Sequence, residues 1–312
     1  MPGPQDGPGH ARGQPAGRGR GLHHVRPLLR HETGQRVPVL RGRLDVGLVV
    51  FSDLDGTLLE HHTYSYEAAR PALAELRRRG IPLVLCSSKT RAELLPLHAE
   101  LGLNAPFIAE NGGGVFAPAD SLLARGDGWQ EAGEGWRMLP IGLPVVEVRR
   151  RLAGFQERFG ARGFGQMSDA EVARLTGLSK AQATLARRRE FNEPVLLADE
   201  ARSQEFAAAA QEAGLPAVRG GRFWHLLGGG DKGKAVRLLI IFYAKRDPAL
   251  VSLALGDAPN DLSMLAAVNR PVLVARPDGS HAPLELAGLR REPLPGPAGF
   301  NQAVLAALAE VA

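Results

Sequence analysis

Short apolar runs alternate with longer amphipathic stretches along much of this chain, and the alternation predicts its fold. Residues 48–51, 81–86, 107–109, 251–255 and 271–275 are compact apolar runs. Runs of that length without polar alternation predict strands buried on both faces. Helical patterns lie between them. Residues 65–79 place Leu73 and Leu76 on one face and end at Gly80; Pro71 sits inside the stretch, which predicts a late start or a kink. Thr90 and Glu93 form a T-x-x-E capping box for the helix after the second strand. Residues 235–244 and 299–311 add two more helices. The rhythm predicts an α/β fold: a Rossmann-like parallel sheet with right-handed crossovers and ligands at the carboxyl ends of its strands.

The rhythm changes across residues 126–229. Trp129 and Trp136 stand in glycine-rich polar sequence, followed by helical patterns over 145–159, after Ser168 with its partner Glu171, and over 179–189. Strands are expected over 194–198 and 217–219, around a helix at 202–213. This predicts an inserted α+β cap at 126–229 that closes on substrate, in a core made of 48–125 and 230–312.

Composition changes the picture only at the start of the chain. Residues 1–47 hold ten Gly, six Pro and eight Arg against three acids, which accounts for the whole net charge of +5. Such a segment cannot bury enough surface to offset its ordering entropy, so it is expected to be disordered. It is read as a non-native extension, a solvated tail or a basic arm. The remainder is neutral, which gives no electrostatic case for nucleic acid. The single cysteine, Cys86, excludes an internal disulfide and a Cys-based zinc site. No apolar run is long enough to span a membrane, and the N-terminus has no signal-peptide core, so a cytoplasmic enzyme is expected.

The first apolar run ends in Asp53-Leu54-Asp55-Gly56-Thr57. Two carboxylates delivered by a buried strand into a glycine turn must be neutralised or used, by a hard cation such as Mg²⁺ or by protonation. A carboxylate can attack phosphorus, and a second can protonate the leaving alkoxide and then activate water. A D-x-D pair also serves glycosyltransferases, and loop acids without a role are the plain alternative. Three further signals lie downstream. The run 251–255 ends in Gly256-Asp257-Ala258-Pro259-Asn260-Asp261, so Asp257 and Asp261 can complete an oxygen-ligand site with Asp53. Lys232 opens a helix against the dipole preference, as surface charge or as an anion contact. Arg187-Arg188-Arg189 ends a helix, as dipole-favoured cations or as an anion clamp.

Asp53-Leu54-Asp55-Gly56-Thr57-Leu58, Ser87, Lys232 and the Gly256-Asp257…Asn260-Asp261 group resemble, in order, the motifs of the haloacid dehalogenase superfamily of phosphohydrolases. The resemblance implies that Asp53 is the nucleophile, and that Asp55 is the acid/base and holds Mg²⁺ through its main-chain carbonyl. It further implies that Ser87 and Lys232 bind the phosphoryl group, that Asp257 binds Mg²⁺, and that Asp261 completes the metal shell. The insertion looks like the α/β cap of the Cof-type branch. Within it, Cys86-Ser87-Ser88-Lys89-Thr90, Glu110-Asn111-Gly112-Gly113-Gly114, Arg189-Glu190-Phe191-Asn192-Glu193-Pro194 and Gly221-Arg222-Phe223-Trp224-His225 are similar to the mannosyl-3-phosphoglycerate phosphatase family. Relatives often have Thr-Gly-Arg where this chain has Ser87-Ser88-Lys89, so Lys89 is expected to take over an anion contact. The implied partner is a small phosphorylated sugar-glycerate. Ser87 is expected at the phosphate, Ser88, Lys89, Gly112 and Asn260 among the substrate-binding residues, Arg189 and Arg222 at the glycerate carboxylate, and Asn111, Asn192, Glu193 and His225 at sugar hydroxyls. The implied reaction yields mannosylglycerate, a compatible solute, and phosphate. Three alternatives stay open: a phosphatase of another sugar phosphate such as the glucosyl compound, a phosphomutase-like transferase, and a non-catalytic binding protein.

Overall fold

The computed structural model describes residues 47–220 and 222–311; the expectation for residues 1–46 lies outside them. The chain opens with β1 (Leu48–Ser52), α1 (Arg70–Arg79), β2 (Leu83–Leu85) and α2 (Arg91–Glu100). Then come β3 (Phe107–Ala109), β4 (Gly114–Pro118), β5 (Gln130–Gly133) and β6 (Trp136–Pro140). The middle holds α3 (Val145–Phe159), β7 (Arg162–Gly163), α4 (Asp169–Thr176), α5 (Lys180–Ala186), β8 (Asn192–Leu196), α6 (Ser203–Glu212), β9 (Ala217–Gly220) and β10 (Phe223–Leu227). The chain closes with α7 (Lys232–Ala244), β11 (Val251–Gly256), α8 (Leu262–Leu265), β12 (Arg270–Ala275), β13 (Arg290–Pro295) and α9 (Gly296–Glu310).

Five strands form a parallel sheet in the order β13-β12-β11-β1-β2. Every residue of β1 is buried, as an uninterrupted apolar run requires. Its side chains alternate between two cores. Leu48 and Val50 pack with Leu76 of α1 and Phe300 and Val304 of α9, whereas Val49 and Phe51 pack with Val236 and Leu239 of α7 and Met264 of α8. The sheet is thus covered by helices on both faces, and α/β with a parallel core is the observed class. Pro71 does not kink α1; it lies in the first turn, where its missing N–H breaks no bond.

The third expected strand meets the parallel sheet only through a bridge from Cys86 to Ile108. It belongs instead to an antiparallel sheet of order β3-β4-β6-β5. This moves a boundary. Residues 136–140 pair with β4, residues 130–133 pair in turn with 136–138, and Trp129 packs with Phe51 and Val84, so the segment expected to leave the core at 126 stays with it to about residue 141. Beyond that point a third sheet, β7-β8-β10-β9, packs Val195 and Leu226 against Val148 and Leu152 of α3 and Phe206 of α6. Its opposite face meets α4 and α5 through Phe223. The chain enters and leaves this region at one place. A Cβ built on Gly142 would lie 3.5 Å from both the Gly228 carbonyl oxygen and the Gly230 nitrogen.

Candidate active site

β1 delivers Asp53 and β11 delivers Asp257, both at carboxyl ends of neighbouring parallel strands. Gly56, at φ +84°, turns the chain between them; a Cβ there would meet Asp257 Oδ2 at 2.6 Å. Asp261 is buried and both its oxygens are engaged. Oδ1 accepts from Lys232 Nζ at 2.6 Å, and Oδ2 accepts from the backbone N–H groups of Asp257 and Ala258 at 3.1 Å. Lys232 also donates to Asp53 Oδ1 at 2.6 Å and is itself only 1% exposed, which rules out surface charge. A buried ammonium between two carboxylates is well satisfied. Burial works against its charge, but Asp261 and Asp53 more than offset this and hold its pKa above the ordinary value.

One lysine does not balance three acids. Burial, then Asp261, raise the Asp53 carboxyl well above its usual range, and the same two causes push Asp257 up to about 7. Oxygen atoms of Asp53, Asp257 and Asp261 lie within 4.8 Å of one another. An all-oxygen, under-compensated donor set of this kind fits a hard cation. Asp257 and Asp53 keep oxygens without a strong donor. Asp261 spends both of its own on positioning.

Asp55 sits differently. Its Oδ2 accepts from Lys89 Nζ at 2.7 Å, and its Oδ1 is buried without a partner among the described residues. Burial opposes the Lys89 charge, yet Asp55 and Glu93 hold its pKa above the ordinary value. Lys89 and Asp55 line a cavity of about 510 Å³, which Arg189, Arg222 and His225 also line. Ser88 lines this cavity too. Ser87 is buried; its hydroxyl accepts from the Lys89 N–H at 3.2 Å, shaping the loop after β2.

The expected residues are not all brought together. Arg189 faces the cavity, but Arg187 turns to Asp169 and the Phe164 carbonyl, and Arg188 is exposed. Arg222 faces the cavity and donates to the Leu175 carbonyl. Asn192 accepts from Arg189 at 3.2 Å, and its Nδ2 is buried and unpaired. Glu193, the next residue, points the other way because strand side chains alternate. It is fully buried against Arg149 Nε (2.9 Å) and the Gly165 N–H (2.5 Å), so its placement at a sugar hydroxyl is corrected. His225 is buried with an unpaired Nδ1; burial, then Arg189 and Lys232, push its pKa down to about 3. Asn111 is buried, and its Oδ1 accepts from Asn260 Nδ2 at 3.5 Å. Gly112 packs so tightly on the Asp231–Lys232 backbone that a Cβ would come within 2.1 Å. No run of sequence marked Arg149, or the cavity-lining Tyr64, His61 and His62.

Glu110 was also missed. Its carboxylate accepts from the backbone N–H groups of Glu190 (2.7 Å), Phe191 (2.9 Å) and Asn192 (2.8 Å). Burial raises its pKa, opposed by Arg189 and these three donors.

The family profile of haloacid dehalogenase-like hydrolases matches residues 50–125. A protein of Methanococcoides burtonii (strain DSM 6242) named glucosyl-3-phosphoglycerate/mannosyl-3-phosphoglycerate phosphatase is 41% identical over 82% of this chain and 96% of its own. One of the same name from Persephonella marina (strain DSM 14350) is 36% identical over 85% of this chain and 98% of its own. Among solved structures, Thermoplasma acidophilum 0175 superposes with a TM-score of 0.60 at 19% identity, over 86% of this chain and 99% of that one.

Proposed function

This chain belongs to the haloacid dehalogenase-like hydrolases, in the family of glucosyl-3-phosphoglycerate/mannosyl-3-phosphoglycerate phosphatases, and on that premise we propose how its site works. The reaction is hydrolysis of mannosyl-3-phosphoglycerate to mannosylglycerate and phosphate, through an aspartyl-phosphate. The relatives' names pair two sugars, which supports the glucosyl compound as a second substrate. One observation carries the reading: Asp53 is held by Lys232 at one oxygen, within an acid trio short of positive charge.

Asp53 attacks phosphorus with the oxygen that Lys232 leaves free. The P–O bond to the glycerate breaks as the Asp–O–P bond forms, and the departing alkoxide takes a proton from Asp55. Lys89 occupies Oδ2 of Asp55, leaving the buried Oδ1 to carry that proton. The ionised Asp55 then takes a proton from water, which attacks phosphorus and frees Asp53. Asp53, Asp257 and the Asp55 main-chain carbonyl would hold Mg²⁺, which when bound neutralises charge on the phosphoryl oxygens. Lys232 holds Asp53 still and faces the same charge. Ser87 and Ser88 shape the phosphate end, with Gly112 and Asn260 supporting it from behind. Arg189 and Arg222 meet the glycerate carboxylate, and Asn111, Asn192 and His225 offer polar atoms to the sugar. Residues 142–229 act as the cap. A cytoplasmic setting is proposed as well, supported by the single, buried, unpaired Cys86.

The test is phosphate release from the mannosyl and glucosyl compounds, 3-phosphoglycerate and a hexose phosphate. The expected result is a strong preference for the sugar-glycerates, lost on chelation of Mg²⁺ and reduced on the order of 10⁴-fold or more in Asp53→Asn. Asp53→Asn protein with undiminished turnover would refute the mechanism.

A further inference from the structure

The residues on either side of Glu110 set up an unusual joint. Glu110 and Asn111 both have positive φ, 54° and 57°, a conformation that is uncommon for a non-glycine residue and persists only where surroundings impose it. Glu110 is 1% exposed, yet among the described residues no cationic side chain is bonded to it. Its partners are three consecutive backbone N–H groups, at Glu190, Phe191 and Asn192. Those residues directly precede or open β8, far from Glu110 in sequence. Around this joint the contacts are also tight. Phe191 lies over Gly113 and Gly114, where a Cβ would meet it at 2.3 and 2.5 Å. Arg189 donates to the Ser88 carbonyl at 2.7 Å, and Arg91 Nε to Glu190 at 2.9 Å.

We propose that Glu110 is a positioning residue for the substrate: it clamps residues 190–192, and thereby sets Asn192 and, bonded to it, Arg189 at the cavity wall. The inference rests on the phosphatase reading for its substrate. The chain crosses between the parallel core and the third sheet twice, near residues 141–143 and 228–230. Two neighbouring crossings define a hinge axis but do not fix an angle about it. The Glu110 contact, with the Arg189–Ser88 and Arg91–Glu190 bonds beside it, is a non-covalent support that these crossings do not supply. Three charge-assisted hydrogen bonds to one carboxylate make it rigid. Because Glu110 touches neither phosphorus-side acid, its loss acts on recognition and leaves the chemistry in place.

Glu110→Gln keeps the shape but turns an NH₂ group towards N–H donors. With Mg²⁺ present, kcat/KM for mannosyl-3-phosphoglycerate should fall about tenfold or more, carried by KM, while p-nitrophenyl phosphate turnover changes less than about threefold. Glu110→Asp should recover part of the loss. Equal losses on both compounds, or no loss, would overturn the proposal. Amide hydrogen exchange of the unmutated protein gives a reading independent of turnover: the amides of 190–192 should be protected like those of β1, and fast exchange there overturns the clamp. The two failures stay distinct, because an unmutated protein that turns over neither compound counts against the phosphatase reading, whereas exchange judges Glu110 alone.

Discussion

Lys232 shows how much one side chain can carry. It is the first residue of a helix, where the dipole disfavours a cation, and it is buried between two carboxylates that outweigh both penalties. Lys232→Met would strand Asp53 and Asp261 together without a cation and should cost about 3–5 kcal/mol in urea denaturation. A loss under about 1 kcal/mol would mean the acids are compensated in some other way. His225 makes a pH prediction. Its folded pKa of about 3 lies below the unfolded value, so it is neutral in the fold and charged when released in acid. Its contribution is fully present above about pH 6.5 and is lost as pH falls towards 3, at about 1.4 kcal/mol per unit. Asp257, raised to about 7, works in the opposite sense, so the informative quantity is the difference between the unmutated protein and His225→Gln. That difference should slope below pH 6.5; a flat difference would show His225 hydrated. At this scale the acids were legible because each ends an apolar run. Glu110 and Glu193 were not, since their partners are backbone groups and an arginine that no local pattern announces.

Among the elements, those with a strong internal period or a cap were readable. Helix α3 runs over the expected residues, and the boxes at Thr90 and Ser168 close as read. The missed strands lack such signals. β13 reads Arg-Arg-Glu-Pro-Leu-Pro and lies at the edge of its sheet, where prolines and charges are tolerated and alternation is not needed. β4 starts on Gly114, a residue kept small by Phe191, not by a turn. Caps can also join elements. The Thr90 hydroxyl caps α2 through the Glu93 N–H and lies 3.0 Å from the Leu185 carbonyl in α5. Thr90→Ala should therefore cost roughly 1–2 kcal/mol, more than an isolated cap, in thermal or chemical denaturation. A cost below about 0.5 kcal/mol would show that the contact to α5 adds nothing and that the cap is replaced by water.

For the whole molecule, the parallel core was legible because it is built from local repeats, while the true start of the third-sheet region was hidden. Residues 126–140 look unlike the core in composition, and the pairing of β6 with β4, of β5 with β6, and the packing of Trp129 keep them there. Such pairing is a non-local fact. The meeting of Gly113, Gly142, Gly228 and Gly230 has a further consequence. Where a chain departs and returns at adjacent points, everything between is topologically a loop, and the closure entropy of a loop grows only slowly with its length. Such a segment can be gained, exchanged or shed in descent without rerouting the host. A spliced chain joining Ile141 to Gly230 through a short glycine linker, with Glu110→Gln to avoid a stranded carboxylate, should still unfold cooperatively and cleave p-nitrophenyl phosphate. It should no longer tell a sugar-glycerate from any other phosphate ester. Failure of the spliced chain to fold would make the two parts a single unit of inheritance, altered together or not at all.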